Sequence, residues 1–395
     1  MRIPSLDGLR ALSILLVIVG HLRRTRGFGE LDLGIGDYAH LGVVVFFVIS
    51  GFLITSLLRD EFQARGRISL PAFYTRRVLR IFPAAYCYMA VVFVLWRIGL
   101  IHLADRDLAH AVTYTVNFLA SPANAVVHLW SLSVEEQFYL LWPFAFARLG
   151  PRKAAMLAAG VMVAGPCARI ADRLFLLGTP YHGLPMFPMV ADSLAAGCLL
   201  AAWREWLEAR EWYRWLFRRG PAIGMVVLTL LIHRYMNRTV GVVAGTSAIN
   251  VMIAILIHRC VLLPGDRVGR LLNWGPVTGV GVLSYSLYLW QQLFIDRTGT
   301  LWINAFPQNV VLAAVAGLAS FWILEHPLQA LRSRLRSSRA ANPLDLLTIR
   351  RRPGARNLRG SAHAQVLVER QAVAGGVLAV LVQFARRLPH FARRR

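Results

Sequence analysis

The sequence predicts an all-α fold, a polytopic membrane helix bundle of about ten transmembrane helices, and three observations carry that prediction. Of its 395 residues, 56% are hydrophobic and only 16% charged, and the mean hydropathy is +0.51, which is too apolar for a water-soluble domain. Long uncharged runs recur along the chain, and about 20 apolar residues are what a helix needs to cross the hydrocarbon core. The 44 basic residues, arginine in every case but Lys153, stand in short segments beside those runs or in the last sixty or so positions. That placement is the mark of a membrane protein, so the net charge of +24 points to membrane lipid as partner and not to nucleic acid.

The runs centre near residues 16, 49, 90, 142, 162, 194, 229, 251, 286 and 315. The first, from Leu9 to Leu22, is not a typical signal peptide, because Asp7 and Arg10 press into it and no small-residue cleavage site precedes Arg23. It is expected to stay as a first membrane helix. The longest interruptions are 59 to 80, 100 to 136 and 204 to 220, which leaves no room for a soluble catalytic domain among the runs.

Orientation follows from charge. With the N-terminus inside, segments 59 to 80, 148 to 153, 204 to 219 and 259 to 270 face the cytoplasm and hold 17 basic residues, against ten in the opposite loops, Arg169 and Arg173 among them. The tail from 332 to 395 adds 15 arginines and tips the balance towards both termini inside. Residues 1–331 are therefore expected to form the transmembrane domain and 332–395 an Arg-rich cytoplasmic tail. The tail's apolar stretch from Gln371 to Phe384 is too short to span, so it is expected to lie on the surface or to be disordered. The four cysteines fall inside apolar runs without metal-type spacing and read as packing residues, and no metal is expected.

Several polar groups sit where lipid should exclude them. Arg10 and His21 are 11 positions apart, which on an α-helix is a rotation of about 20° and a rise of about 16 Å. They line one face near opposite ends of the span, and Asp7 is close enough to pair with Arg10. Ionisable groups inside a membrane helix mark functional sites, although a snorkelling Arg and a headgroup-level His would look the same. Ser50 and Gly51 interrupt a bulky run and read first as small packing residues. Arg76 and Arg77 precede Arg80 by four and three positions, and three guanidiniums together make either a phosphate site or positive-inside anchoring.

On the predicted outer side, Ser133 with Glu136 fits a capping box that would start a helix. Glu135 has no such role, and with Trp130 beside it offers a carboxylate and an aromatic platform to a sugar. Trp130 is equally suited to an interfacial belt. Near the end, Ser284, Tyr285 and Tyr288 put hydroxyls into a span, with Ser284 and Tyr288 on one face. They must find partners, either other helices or a bound substrate.

Four pieces in order, Leu6–Ala11 with His21, Phe46–Ile54, Arg76–Pro83 and Trp130–Pro143, resemble the membrane-bound acyltransferase-3 family over about residues 3 to 330. Members acetylate O-antigens, exopolysaccharides, nodulation factors and macrolide sugars. The resemblance implies an O-acyltransferase of the bacterial inner membrane, with acetyl-CoA or another acyl-CoA as cytoplasmic donor and a carbohydrate acceptor at the outer face. It makes Arg10, His21 and Glu135 the family's functional residues here. With it, His21 and Glu135 become the catalytic candidates, Arg10, Arg76, Arg77 and Arg80 the coenzyme-binding ones, and Trp130, Ser284, Tyr285 and Tyr288 the acceptor-binding ones.

Two positions depart from the family pattern: Val44 stands where Asp is frequent, and Gln291 where a His follows the late Tyr-Leu-Trp. Longer members append a soluble esterase-like domain, which is not expected here. The acceptor is read as a surface polysaccharide or lipid-linked glycan, with a small glycosylated metabolite as the second choice. A second copy of the chain or polysaccharide-synthesis machinery stands open as protein partner. A transporter is the alternative from another class, since many spans with intramembrane Arg and His also describe a carrier.

Overall fold

The computed structural model describes residues 3–28, 38–235 and 241–328. The tail from 332 to 395, with its predicted surface-lying stretch, lies outside them.

The described residues form helices and connecting turns with no strand. The longer helices are α1 (Pro4–Leu22), α2 (Ala39–Arg65) and α3 (Leu70–Arg97), followed after the short α4 (Asp105–Val112) and α5 (Asn124–Val127) by α6 (Leu129–Ala171). Then come α7 (Phe187–Glu208), the short α8 (Glu211–Trp215), α9 (Arg219–Arg234), α10 (Thr246–Leu262), α11 (Arg267–Leu272), α12 (Gly275–Phe294) and α13 (Gln308–Ser320). Each of the ten expected centres falls inside one of these helices. α6 takes two of them, because Gly150 at φ 73° and ψ 171° breaks its helical path ahead of Pro151.

Among the described residues, six helical stretches are long and apolar enough to cross a membrane: Pro4–Leu22, Ala39–Arg65, Leu70–Arg97, Asn124–Leu176, Val243–Leu262 and Gln308–Leu328. α9 falls short in length, at 16 residues. α12 falls short in hydropathy, because it carries Ser284, Tyr285, Ser286, Tyr288, Gln291 and Gln292 on a 20-residue helix.

One expected loop is largely helical instead. At 27 and 28 residues, α2 and α3 are each about 40 Å long, against a hydrocarbon core of about 30 Å. Most of the basic segment 59 to 80 is therefore helix that runs past the membrane, with a turn only at 66–69. The capping box is likewise corrected. α6 begins at Leu129, and Ser133, already inside it, donates back to the Leu129 carbonyl at 2.9 Å.

Close helix contacts rest on small residues. α2 packs most extensively on α7, and α1 on α12 and α2. At the first crossing a Cβ on Gly51 would collide with the Leu194 carbonyl, and one on Gly197 with the Val48 carbonyl. Only a pair of glycines lets the two backbones approach this far. Gly51→Leu is therefore expected to cost about 3 kcal/mol or more, because backbone cannot yield as a side chain does. Gly160→Ala, with nothing within 4 Å of the new methyl, is the control. Thermal melts of both variants in detergent check the contrast.

The interior also holds a buried ion pair. Arg169 of α6 meets Asp192 of α7 through two nitrogens at 3.2 and 2.8 Å, and Ser247 donates to the same carboxylate at 2.6 Å. Arg169 had been counted with the outer-loop charges. It is 7% exposed and belongs to the bundle, which removes it from that count.

Candidate active site

A cavity of about 810 Å³, measured out to its open mouth, is bounded by α1, α2, α3, α6 and α12. Its charged lining is Arg10, Arg77, Arg80 and Glu135, its hydroxyls come from Ser50, Ser131, Tyr139, Ser284, Tyr285 and Tyr288, and Phe46, Phe47 and Leu53 supply apolar wall.

Three of the four charged side chains are held in place, one within its own helix and two by a neighbouring helix. Arg10 pairs with Asp7 one turn earlier, at 3.3 Å, as the spacing predicted. Arg77 stands over the Tyr139 ring, its guanidinium carbon 4.7 Å from the centroid, a cation–π contact. Glu135 accepts from Ser50 at 2.6 Å, and Tyr139 donates to the same Ser50 at 3.2 Å. Ser50 and Gly51 thus divide the two readings of their run: Gly51 packs helices, and Ser50 orients a carboxylate.

Because α6 starts at Leu129, Glu135 sits about 9 Å inside the helix. There it is in the field of Arg10, Arg77 and Arg80, and not at the outer rim beside Trp130. Trp130 stays outside the cavity, stacked on His40 with ring centroids 6.4 Å apart and edge-on to Phe47 at 6.0 Å. Arg76 is also outside it, half-exposed, with Glu61 at 3.8 Å. Of the three α3 arginines, the cavity takes two and gains Arg10. Ser284, Tyr285 and Tyr288 of α12 all line it: Tyr285 donates to the Ile81 carbonyl at 2.7 Å, and Tyr288 to the His128 carbonyl at 2.7 Å, with Ser131 2.6 Å away.

His21 does not line the cavity. It closes α1 at the far end from Arg10, with Nδ1 3.0 Å from Oε1 of Gln291, and Arg297 donates to the carbonyls of Gly20 and His21 at 2.9 and 3.4 Å. Between α12 and α6, Tyr288 is tilted against His128 at 5.5 Å, and Tyr88 is edge-on to His128 at 5.5 Å. The site therefore has two ends: a cationic cavity and, one helix length along α1, an imidazole.

Reading the sequence missed three members of this arrangement. In sequence Ser50 reads as packing, Tyr139 carries no mark of its own, and Gln291 reads as a departure from the family's histidine and not as the partner of His21. The signal for Ser50 was available, since a hydroxyl in a bulky membrane run needs an acceptor.

A helical bundle with buried arginines, a carboxylate and an imidazole on its central helices defines an integral membrane protein with a reaction or transport site inside the bundle. The comparisons decide between these: residues 3–326 match the acyltransferase domain of the acyltransferase-3 family, and the chain belongs to that family. It is 27% identical over 361 residues to the O-acetyltransferase OatA of Staphylococcus aureus (strain NCTC 8325 / PS 47), covering 83% of this chain and 57% of that protein. To the Bacillus subtilis (strain 168) protein named "Putative peptidoglycan O-acetyltransferase YrhL" it is 31% identical over 369 residues, covering 83% and 55%. The chain thus spans little more than half the length of these relatives. No solved structure matches it.

Proposed function

We propose that this protein is a ten-span membrane O-acyltransferase, with both termini in the cytoplasm of a bacterial cell. It would move an acyl group, acetyl first, from a cytoplasmic acyl-CoA to a sugar hydroxyl of a surface glycan. The observation that carries the proposal is the convergence of Arg10, Arg77 and Arg80 in one cavity with His21 at the opposite end of the helix that bears Arg10. Names of the relatives support acetyl as the group and a cell-wall or other surface glycan as acceptor.

The residues fit such a donor. Two or three guanidiniums bind phosphate oxygens in forked pairs, and Phe46, Phe47 and Leu53 offer apolar wall to the rest of the molecule. The rise of about 16 Å from Arg10 to His21 matches the length of the coenzyme's flexible arm, so the donor's phosphates and the acceptor need not meet. At the other end His21 acts as general base. As it takes the hydroxyl proton, the sugar oxygen bonds to the acyl carbon, the thioester C–S bond breaks, and the proton passes on to the leaving thiolate. Imidazole is the side chain most often given that duty. Glu135, fixed by Ser50, stands in the field of the three arginines and limits the cavity's positive charge. Val44, where the family frequently has Asp, is buried in the α2 core and takes no part.

Arg77→Gln is expected to raise KM for acetyl-CoA about tenfold or more, since a charged contact is lost to a polar one (about 1.5–3 kcal/mol), while Arg76→Gln stays within about twofold. Labelled acetyl-CoA supplied to membranes with and without the protein tests the function itself. Base-labile label in glycan that depends on the protein supports it, and label that never leaves acetyl-CoA overturns it.

A further inference from the structure

We propose that His128 is a binding residue for the acyl donor: its Nδ1 accepts the N–H of the amide nearest the thioester in the flexible arm of the acyl-CoA. The proposal rests on the reading of the protein as an acyl-CoA-dependent transferase.

His128 stands at the N-terminal end of α6 and is 2% exposed. Its Nε2 is 3.1 Å from the Leu289 carbonyl, a buried contact. A carbonyl can only accept, so Nε2 carries a proton, and in a neutral imidazole, which has one N–H, Nδ1 then holds the lone pair. That nitrogen is buried and has no hydrogen-bond partner among the described residues. An acceptor left unmet in a buried place is costly, and this one calls for a group that the described chain does not supply.

Its place in the bundle indicates which group. α1 and α12 run side by side in the same direction: a Cβ on Gly281 would meet the Asp7 carbonyl, and further along Gln291 meets His21. Between these levels α12 carries Ser284, Tyr285 and Tyr288, which line the cationic cavity, and then Leu289, whose carbonyl holds His128. The His128 ring is 5.5 Å from that of Tyr288 and within electrostatic reach of His21. The unmet nitrogen therefore belongs to the stretch that joins the arginines to His21. A donor with its phosphates at one end and its acyl group at the other has to lay its arm along that stretch.

The chemistry of the arm fits as well. Trp290 Nε1, which can only donate, is also buried without a partner among the described residues, and the rings of His128 and Trp290 both stand edge-on to Tyr88 at 5.5 Å. One unmet acceptor and one unmet donor thus surround the same ring, and an amide offers the N–H and the C=O that they lack. The arm of an acyl-CoA carries such amides, and the one nearest the sulfur comes to the His21 end, where His128 is held.

The test is calorimetric titration of the full chain in detergent, with no glycan present, using acetyl-CoA and an acetyl-CoA analogue in which that amide is replaced by an ester. The ester puts an oxygen where the N–H was, so that two acceptors face each other. The wild type is expected to bind acetyl-CoA about 5- to 50-fold more tightly than the analogue, and His128→Leu to bind the two within about twofold of each other. A general loosening of the site in the variant would weaken both ligands and leave their ratio as it was, so the ratio reads the one contact. Equal binding of the two ligands by the wild type overturns the proposal whether or not His128→Leu folds, and so does a wild-type preference that survives in His128→Leu. Failure of the wild type to bind acetyl-CoA at all would overturn the acyl-CoA reading itself, which equal binding of the two ligands would not.

Discussion

His21→Ala is expected to lower kcat for acyl transfer about 10²- to 10⁴-fold, the range a positioned general base contributes, with the protein still folded in the membrane. Folding should survive because His21 is only partly buried at the last turn of α1, where Arg297 secures the helix end through backbone carbonyls and not through the ring. KM for acetyl-CoA should hardly move, since the cationic cavity is at the opposite end of the helix. Steady-state kinetics on protein normalised by amount in the membrane check both parts. A fall in KM affinity with kcat intact would place His21 in binding instead.

Asp192→Ala is expected to have the largest effect on stability, about 3–5 kcal/mol, because it strips the partner from a buried guanidinium. Arg169 makes two bonds to that carboxylate and is 8% exposed in its side chain, while Asp192 is fully buried. The remaining partners of Arg169, the Met189 and Val243 carbonyls at 2.6 and 3.2 Å and Ser247 at 2.6 Å, are neutral and do not replace the charge. Removing both charges in Arg169→Met with Asp192→Leu should cost less than removing one. For comparison, Glu205→Ala loses an ion pair with Arg59 in which the carboxylate is 69% exposed, and about 0–1 kcal/mol is expected. Melting temperatures in one detergent rank the variants, and equal losses for Asp192→Ala and Glu205→Ala would contradict the account.

What sequence reading supplied and what it missed divide along a physical line. Relations within one helix follow from 3.6 residues per turn, so the Asp7–Arg10 pair, the shared face of Ser284 and Tyr288, and the opposite ends held by Arg10 and His21 were all legible. Relations between helices have no such periodicity. Ser50 and Glu135 are 85 positions apart, and His21 and Gln291 are 270 apart. Arg76 and Arg77 are separated by about 100° on α3, and which of them faces the cavity depends on where α1 and α6 pack. Local patterns also misled: Ser133 and Glu136 carry capping-box spacing inside a helix that had begun four residues earlier. Length and hydropathy located the apolar helices, α12 among them, although Ser284, Tyr285 and Tyr288, which line the site, help to lower its hydropathy.

The central claim is transfer across two ends of one site, from donor on the cytoplasmic face to acceptor on the other. It is tested most directly in sealed inverted membrane vesicles, where the cytoplasmic face is outermost, by adding acetyl-labelled acetyl-CoA outside and analysing label in the lumen. The account predicts label inside as a sugar ester, with the coenzyme remaining outside and the signal absent in His21→Ala. Intact labelled acetyl-CoA in the lumen with no ester would contradict it and return the protein to the transporter reading.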